Sequence, residues 1–266
     1  MTHMCAESAA LLPDQLELFH RMWELRLLDM ALQELRIEGL IHGPVQATFG
    51  QEAVGIGATA TLGAGDIAAT TRRAHALHVG LGNALGATID GMIGPMPARA
   101  GGAAQAQLLV DHAYAQSLDD EGGVTLCVIE DSDANTSCFG EAASMAALDQ
   151  LPMVFLVEEI RCGRTNLYRK PASHGMPVVS VDGNDVAAVR DCVATAVRRA
   201  REGGGPTLVH AITYRTTEEQ FVDPLTFARW RLLAAGVTAD RLDEVETMAR
   251  KKVADAVSFA KAPRCG

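Results

Sequence analysis

Aromatic side chains are scarce in this 266-residue chain: 5% of it, with two Trp and three Tyr. A stacking platform for nucleic-acid bases needs more of them. Positive charge is short as well, with 23 Lys and Arg against 33 Asp and Glu and a formal net charge of −10. Binding to nucleic acid draws on clustered Lys and Arg, so no such partner is expected. No stretch reaches the roughly 20 apolar residues of a membrane span. The segment Met1–Leu12 has neither a basic start nor a long apolar run, so neither a signal peptide nor a membrane partner is expected. The six cysteines, at 5, 127, 138, 162, 192 and 265, form no C-x-x-C pair and no metal-ligand spacing. They read as reduced thiols of a cytoplasmic protein. Cys127 reads as a small buried hydrophobe, while Cys138 and Cys162 flank a candidate site and carry a secondary reading as nucleophiles.

What is present is enough to build a core, 48% hydrophobic against 21% charged residues. Leu18, Met22, Leu25, Leu28, Leu32 and Leu35 recur at helical steps, which predicts a helix over 14–38 started by Pro13-Asp14 and stopped by Gly39. A second helix is expected over Gln51–Leu62, a short strand over Asp66–Thr70 and a glycine-broken helix over His75–Asp90. Gly91–Gly102, with two prolines and four glycines, reads as a loop and Ala103–Gln116 as a helix. A clear α/β alternation follows: strand Val124–Glu130, helix Cys138–Asp149, strand Met153–Glu158, strand Val178–Val181, helix Asp185–Glu202, strand Thr207–Thr213. A helical tail over 225–262 breaks at Gly236. Continuous apolar strands between helices predict an α/β fold, a parallel sheet covered by helices on both faces. Neither a repeat nor a linker interrupts the chain, so 1–266 reads as a single domain.

In such a sheet ligands bind beyond the carboxyl ends of the strands. Two segments expected as loops leave strand ends there, Glu130–Asn135 (EDSDAN) and Glu158–Gly163 (EEIRCG). Solvated acidic loops are the bland reading of both; a site is the sharper one.

The order of the segments resembles the alpha subunit of the thiamine-diphosphate-dependent 2-oxo-acid dehydrogenases of pyruvate, branched-chain and acetoin type. Phe49–Val54 (FGQEAV) is similar to the family's helix-opening GQEA. His75–Gly80 (HALHVG) resembles the segment after its Tyr-Arg-x-His. Asp131–Ala147 with Leu151–Glu158 (LPMVFLVE) resembles its GDG…ENN region. Gly175–Asp185, Gly205–Tyr214 and the closing ARWRLLAAGVTADRLDEVE resemble its later strands and helices. The resemblance spans residues 15 to 262 and implies the thiamine-diphosphate-binding fold. It also implies a cofactor diphosphate bridged by Mg²⁺, and a beta-type partner in an α2β2 assembly whose active site lies between the chains.

Against that pattern this sequence departs at one position after another. The GDG triplet is Glu130-Asp131-Ser132, which keeps only the ligand Asp131. The two Asn of the ENN element fall on Glu159 and Ile160, and Ile has no donor for a hard cation. The family's Tyr-Arg falls on Thr70 and Thr71, and its upstream His on Gln46. The residues that would cover the cofactor are largely absent between Gly91 and Gly123, and the GHS segment expected after Tyr214-Arg215 is missing. A diphosphate cradle needs glycine and cations, yet Glu130, Asp133 and Glu159 place carboxylates there. The expectation is a dismantled cofactor site with no metal ligand set and no bound cofactor.

Weighed singly, Asp131 reads as a relic ligand, an acid–base group or a helix cap. Asn135 reads as an N-cap before a site contact. Glu158 reads as structural, and Glu130, Asp131, Asp133 and Glu159 together as a secondary site for a cation or amine. Packing or a subunit contact comes before catalysis for His75, and solvated charge before anion binding for Arg72-Arg73. Asp182-Gly183-Asn184-Asp185 reads as a turn and N-cap. Candidate catalytic residues are therefore Asp131, Glu130, Glu159 and His75; the degenerate cofactor positions are Gln46, Thr70, Thr71, Asp131, Asn135, Glu159 and Ile160. The leading functional expectation is a diverged alpha-type subunit with its pocket repurposed for a cofactor-independent reaction on a small or carrier-bound acyl or oxo substrate. The alternatives are a non-catalytic partner that stabilises a beta-type subunit, and a subunit that still uses thiamine diphosphate with Mg²⁺.

Overall fold

A computed structural model describes residues 2–70, 73–95, 102–119, 122–162, 174–215 and 223–262. In chain order the elements are α1 (Thr2–Ile37), β1 (Ile41–His42), α2 (Glu52–Thr59), β2 (Ile67–Thr70), α3 (Ala74–Gly80) and α4 (Leu85–Asp90). Then come β3 (Gly94–Pro95), α5 (Gly102–Leu118), β4 (Thr125–Glu130), α6 (Asp131–Ala134), α7 (Ser137–Leu148) and β5 (Met153–Cys162). The chain ends with β6 (Val178–Asp182), α8 (Val186–Arg201), β7 (Thr207–Arg215), α9 (Pro224–Ala234) and α10 (Ala239–Lys261).

The main sheet is parallel throughout, in the order β2-β4-β5-β7-β6. Alternate residues of its strands supply two cores. Cys127, Ile129, Phe155, Val157 and Leu208 pack against α5 and α7 through Ala106, Val110, Phe139 and Ala142. Leu126, Val128, Leu156, Val209 and Ala211 pack against α2 and α8 through Val54, Ala58, Val189 and Val193. Burial on both faces is why these strands read as unbroken apolar runs rather than alternating ones. Burial also pushes the Cys127 thiol up to about 12, which suits the inert, space-filling part read from its sequence.

A third core joins α1 to the tail. All six leucine and methionine positions of its expected apolar stripe are buried, and they meet Leu242, Val245, Ala249 and Val253 of α10. The helix does not start at Pro13-Asp14, however; it runs from Thr2 straight through Pro13. Proline's fixed φ is compatible with a helix, and its missing N–H removes one bond to the preceding turn without ending it.

Two expected loops are also structured. Glu130–Asn135 contains the single-turn α6, and Glu158–Gly163 is strand as far as Cys162. Strand β5 can continue because β7 does: Glu159 pairs with Ile212, and the register runs unbroken to Cys162 opposite Arg215. Gly94–Pro95, inside the expected 91–102 loop, pairs in parallel with β1. Among the described residues no helix is long and apolar enough to cross a membrane.

Candidate functional site

Strands β2 and β4 end at Thr70 and Glu130, and β4 and β5 bring Glu130 and Glu158 into register as neighbours, while β5 runs on to Cys162. Position parity aims both at the face shared with α2 and α8. Between them sits Arg73, directly before α3. Its Nη1 donates to Glu158 Oε2 at 3.0 Å and its Nη2 lies 2.9 Å from Glu130 Oε1. The side chain is 12% exposed, so the expectation of a solvated charge is overturned for Arg73; Arg72 lies outside the described residues. Arg73 has φ 53, a left-handed backbone uncommon for a side chain with a Cβ. Burial pushes the Glu158 carboxyl up; Arg73 opposes that shift and the Glu130 charge adds to it.

One residue further along β5, parity reverses. Glu159 faces the α5–α7 side, and its Oε2 lies 2.6 Å from Nε2 of His210, a fully buried residue of β7. Arg161, two residues on and on the same face, donates from Nε to Glu159 Oε1 at 2.8 Å, and its guanidinium lies 6.0 Å from the centre of the Tyr214 ring. Burial holds the His210 imidazole below its ordinary value, while Glu159 and Asp131 pull it back up. The single acidic cluster expected from Glu130, Asp131, Asp133 and Glu159 is thus divided by the sheet. Period-two alternation sends Glu158 and Glu159 to opposite faces, each to its own cation.

Asp131 opens α6 and does not cap α7. Asn135 closes α6, and its Nδ2 donates to the Asp131 carbonyl at 2.7 Å and to Asp131 Oδ1 at 3.2 Å. The cap of α7 is Thr136, whose Oγ1 accepts from the Phe139 N–H at 3.3 Å; the extra turn of α6 moves the cap one residue on from Asn135. The Asp185 cap holds as expected, its carboxylate accepting from the N–H groups of Ala187 and Ala188.

The remaining candidates are drawn in by α1. Asp29, fully buried there, places Oδ1 2.7 Å from His75 Nε2, and its Oδ2 accepts from the N–H and hydroxyl of Thr48. This ties the loop that carries Gln46 to the start of α3, beside Arg73. His75 is thus buried and paired with Asp29 of α1. Gln46 is exposed on that loop, Thr70 is buried at the end of β2, and Ile160 is half-buried on β5. Thr71 lies outside the described residues, as does the side chain of Cys162; Cys138 is exposed with a free thiol. Among the described residues no group of three or more His, Cys, Asp or Glu is arranged to hold a metal ion.

Three functional-looking residues escaped the sequence: His210, Arg161 and the pairing of Arg73. His210 lies inside an apolar strand, where a polar residue in a fully buried run was the available signal.

Comparison with known proteins gives one consistent result. A family model described as the dehydrogenase E1 component matches residues 96–241, more than half of the chain. The chain is 26% identical to the alpha subunit of acetoin:2,6-dichlorophenolindophenol oxidoreductase from Bacillus subtilis, covering 92% of this chain and 88% of that one. It is 28% identical to a pyruvate dehydrogenase E1 component subunit alpha of Rhizobium meliloti, over 93% and 86%. With the chloroplastic pyruvate dehydrogenase E1 component subunit alpha-3 of rice, Oryza sativa, identity is 33% over 82% of this chain and 61% of the relative.

Proposed function

The chain belongs to the dehydrogenase E1 component family, among the alpha subunits of thiamine-diphosphate-dependent 2-oxo-acid dehydrogenases, and from that premise we propose that its own site works without the cofactor. In this reading it is the alpha-type half of a heteromeric enzyme, paired with a beta-type subunit as α2β2. At the carboxyl ends of β4 and β5 an acyl or oxo substrate meets acid–base chemistry from Asp131 and Glu159, while Glu130 is held by Arg73 on the opposite face of the sheet.

The observation that carries the reading is Arg73, a cation at the strand ends that two carboxylates of this chain already neutralise. A diphosphate arriving there meets Glu130 and Glu158 rather than free cations and glycine N–H groups. Like charges about 4 Å apart repel by roughly 1 kcal/mol in water and several-fold more at lower dielectric. The donor set for Mg²⁺ fits as poorly. A hard cation asks for about six oxygens, whereas Ile160 offers none from its side chain and Asp131 is engaged by Asn135. The residues described do not fit the metal-bridged cofactor.

Calorimetry of the purified complex with its beta-type partner, titrated with thiamine diphosphate and Mg²⁺, tests this directly. The expected result is no binding in the micromolar range; micromolar binding returns the chain to thiamine-dependent chemistry. With no cofactor bound, Asp131→Ala and Glu159→Ala are expected to lower turnover of the complex. Unchanged turnover in both of them makes the chain a structural partner of the beta-type subunit.

A further inference from the structure

Strand β2 is an edge of the sheet, and its outer side forms the floor of a cavity of about 340 Å³ between α3 and α5. That volume lies at the small end of the roughly 300–1,000 Å³ typical of small-molecule sites. The floor is Ala68 and Ala69, the α3 wall is Ala74 and Leu77, and the α5 wall carries Leu108, 61% exposed. Alanine at these positions is what leaves the space open. His78 and Gln105 are polar groups of the two helix walls. At the carboxyl end of the floor the lining residue is Thr70, the last residue of β2. Ala74 follows Arg73 in the chain, so the cavity and the Glu130–Arg73–Glu158 cluster are neighbours.

We propose that this cavity is an aliphatic subsite, which takes the hydrocarbon chain of an acyl substrate while the carbonyl end lies at the strand ends. The proposal rests on the acyl reading above and narrows it to acyl groups of several carbons. Its walls suit an alkyl chain: mostly methyl and isobutyl groups, with Thr70 at the carboxyl end of β2. A bound chain also covers Leu108, a large apolar side chain otherwise left in water.

The test uses N-acetylcysteamine thioesters of acetyl, butanoyl, hexanoyl and octanoyl groups, titrated into the full chain in complex with its beta-type partner. Affinity is expected to climb roughly threefold to fourfold per methylene until the cavity is full. Ala74→Leu fills the space and is expected to weaken octanoyl binding at least about tenfold relative to acetyl binding, flattening the series. Leu108→Gln, at an exposed position where substitutions usually change stability by no more than about 0.5 kcal/mol, is expected to flatten the chain-length series. A flat series in the unmodified complex overturns the subsite, and so does a series that both variants leave intact. Protection of Ala68–Thr70 from hydrogen exchange by the partner alone, without any chain-length effect, assigns the cavity to a protein contact instead. Micromolar thiamine diphosphate binding beside an intact chain-length series overturns the cofactor-free reading and leaves the subsite standing.

Discussion

Arg73 concentrates the argument at the scale of single residues. Its side chain is nearly buried between two carboxylates, one of them raised by burial, so removing it strands two acids without a cation. Arg73→Ala is expected to destabilise the fold by about 2–4 kcal/mol, near the range for breaking a buried ion pair. Urea unfolding checks the loss, and adding Glu158→Gln to the same chain should recover part of it, because the pair is coupled. The two shifted groups also predict opposite pH behaviour. Glu158 is held above its ordinary 4.5, so its contribution to stability is complete below that value and is lost as pH rises through the raised one. His210 is held below its ordinary 6.5, so its contribution is complete above 6.5 and is lost as pH falls. His210→Gln should therefore flatten the fall in stability on acidification below pH 6.5, measured as the urea midpoint across a pH series. Little of this was legible beforehand. A one-letter string shows that Glu130, Glu158 and Glu159 are acids at strand ends, but not which face each takes or which arginine reaches them.

Helices and strands were far more legible, because their signals are periodic and local. The stripe of α1, the apolar runs of β4 and β5 and the Asp185 cap of α8 all follow from spacing alone. The misreadings have a common source, which is tertiary partners that local signals do not contain. Strand β5 extends to Cys162 because β7 is there to pair with it, although EEIRCG is a polar stretch. Asn135 yields the cap of α7 to Thr136 because a turn of helix intervenes. Helix α2 packs closely on α8 at Gly57. A Cβ built there would lie 2.7 Å from the Val186 carbonyl oxygen of α8. Gly57→Ala is expected to cost about 1–3 kcal/mol through forced separation of the two helices, read as a lower thermal midpoint. At the other end of α2, Glu52 is fully buried and held by Arg26, which also reaches Asp223, the N-cap of α9, at 2.6 Å. Arg26→Ala leaves Glu52 unpaired in the interior, with an expected loss of about 3–5 kcal/mol in urea unfolding.

At the scale of the whole molecule, the family gives the fold and the alpha-side identity, while cofactor-free chemistry at the strand ends is the proposal to be tested. If the site works as proposed, a chelator and exhaustive dialysis should leave both thermal stability and turnover of the complex unchanged. A fall in either, restored by Mg²⁺ with thiamine diphosphate, would oppose the cofactor-free reading. The order of strands has a further consequence, for the time course of folding. Among the pairings of the main sheet that flank its centre, β4 with β5 closes the shortest stretch of chain, and only α6 and α7 intervene. Loop-closure entropy favours that pair first. Substitutions in its heart, such as Phe155→Leu, should slow refolding. Equally destabilising changes where α1 meets α10, from opposite ends of the sequence, should chiefly hasten unfolding.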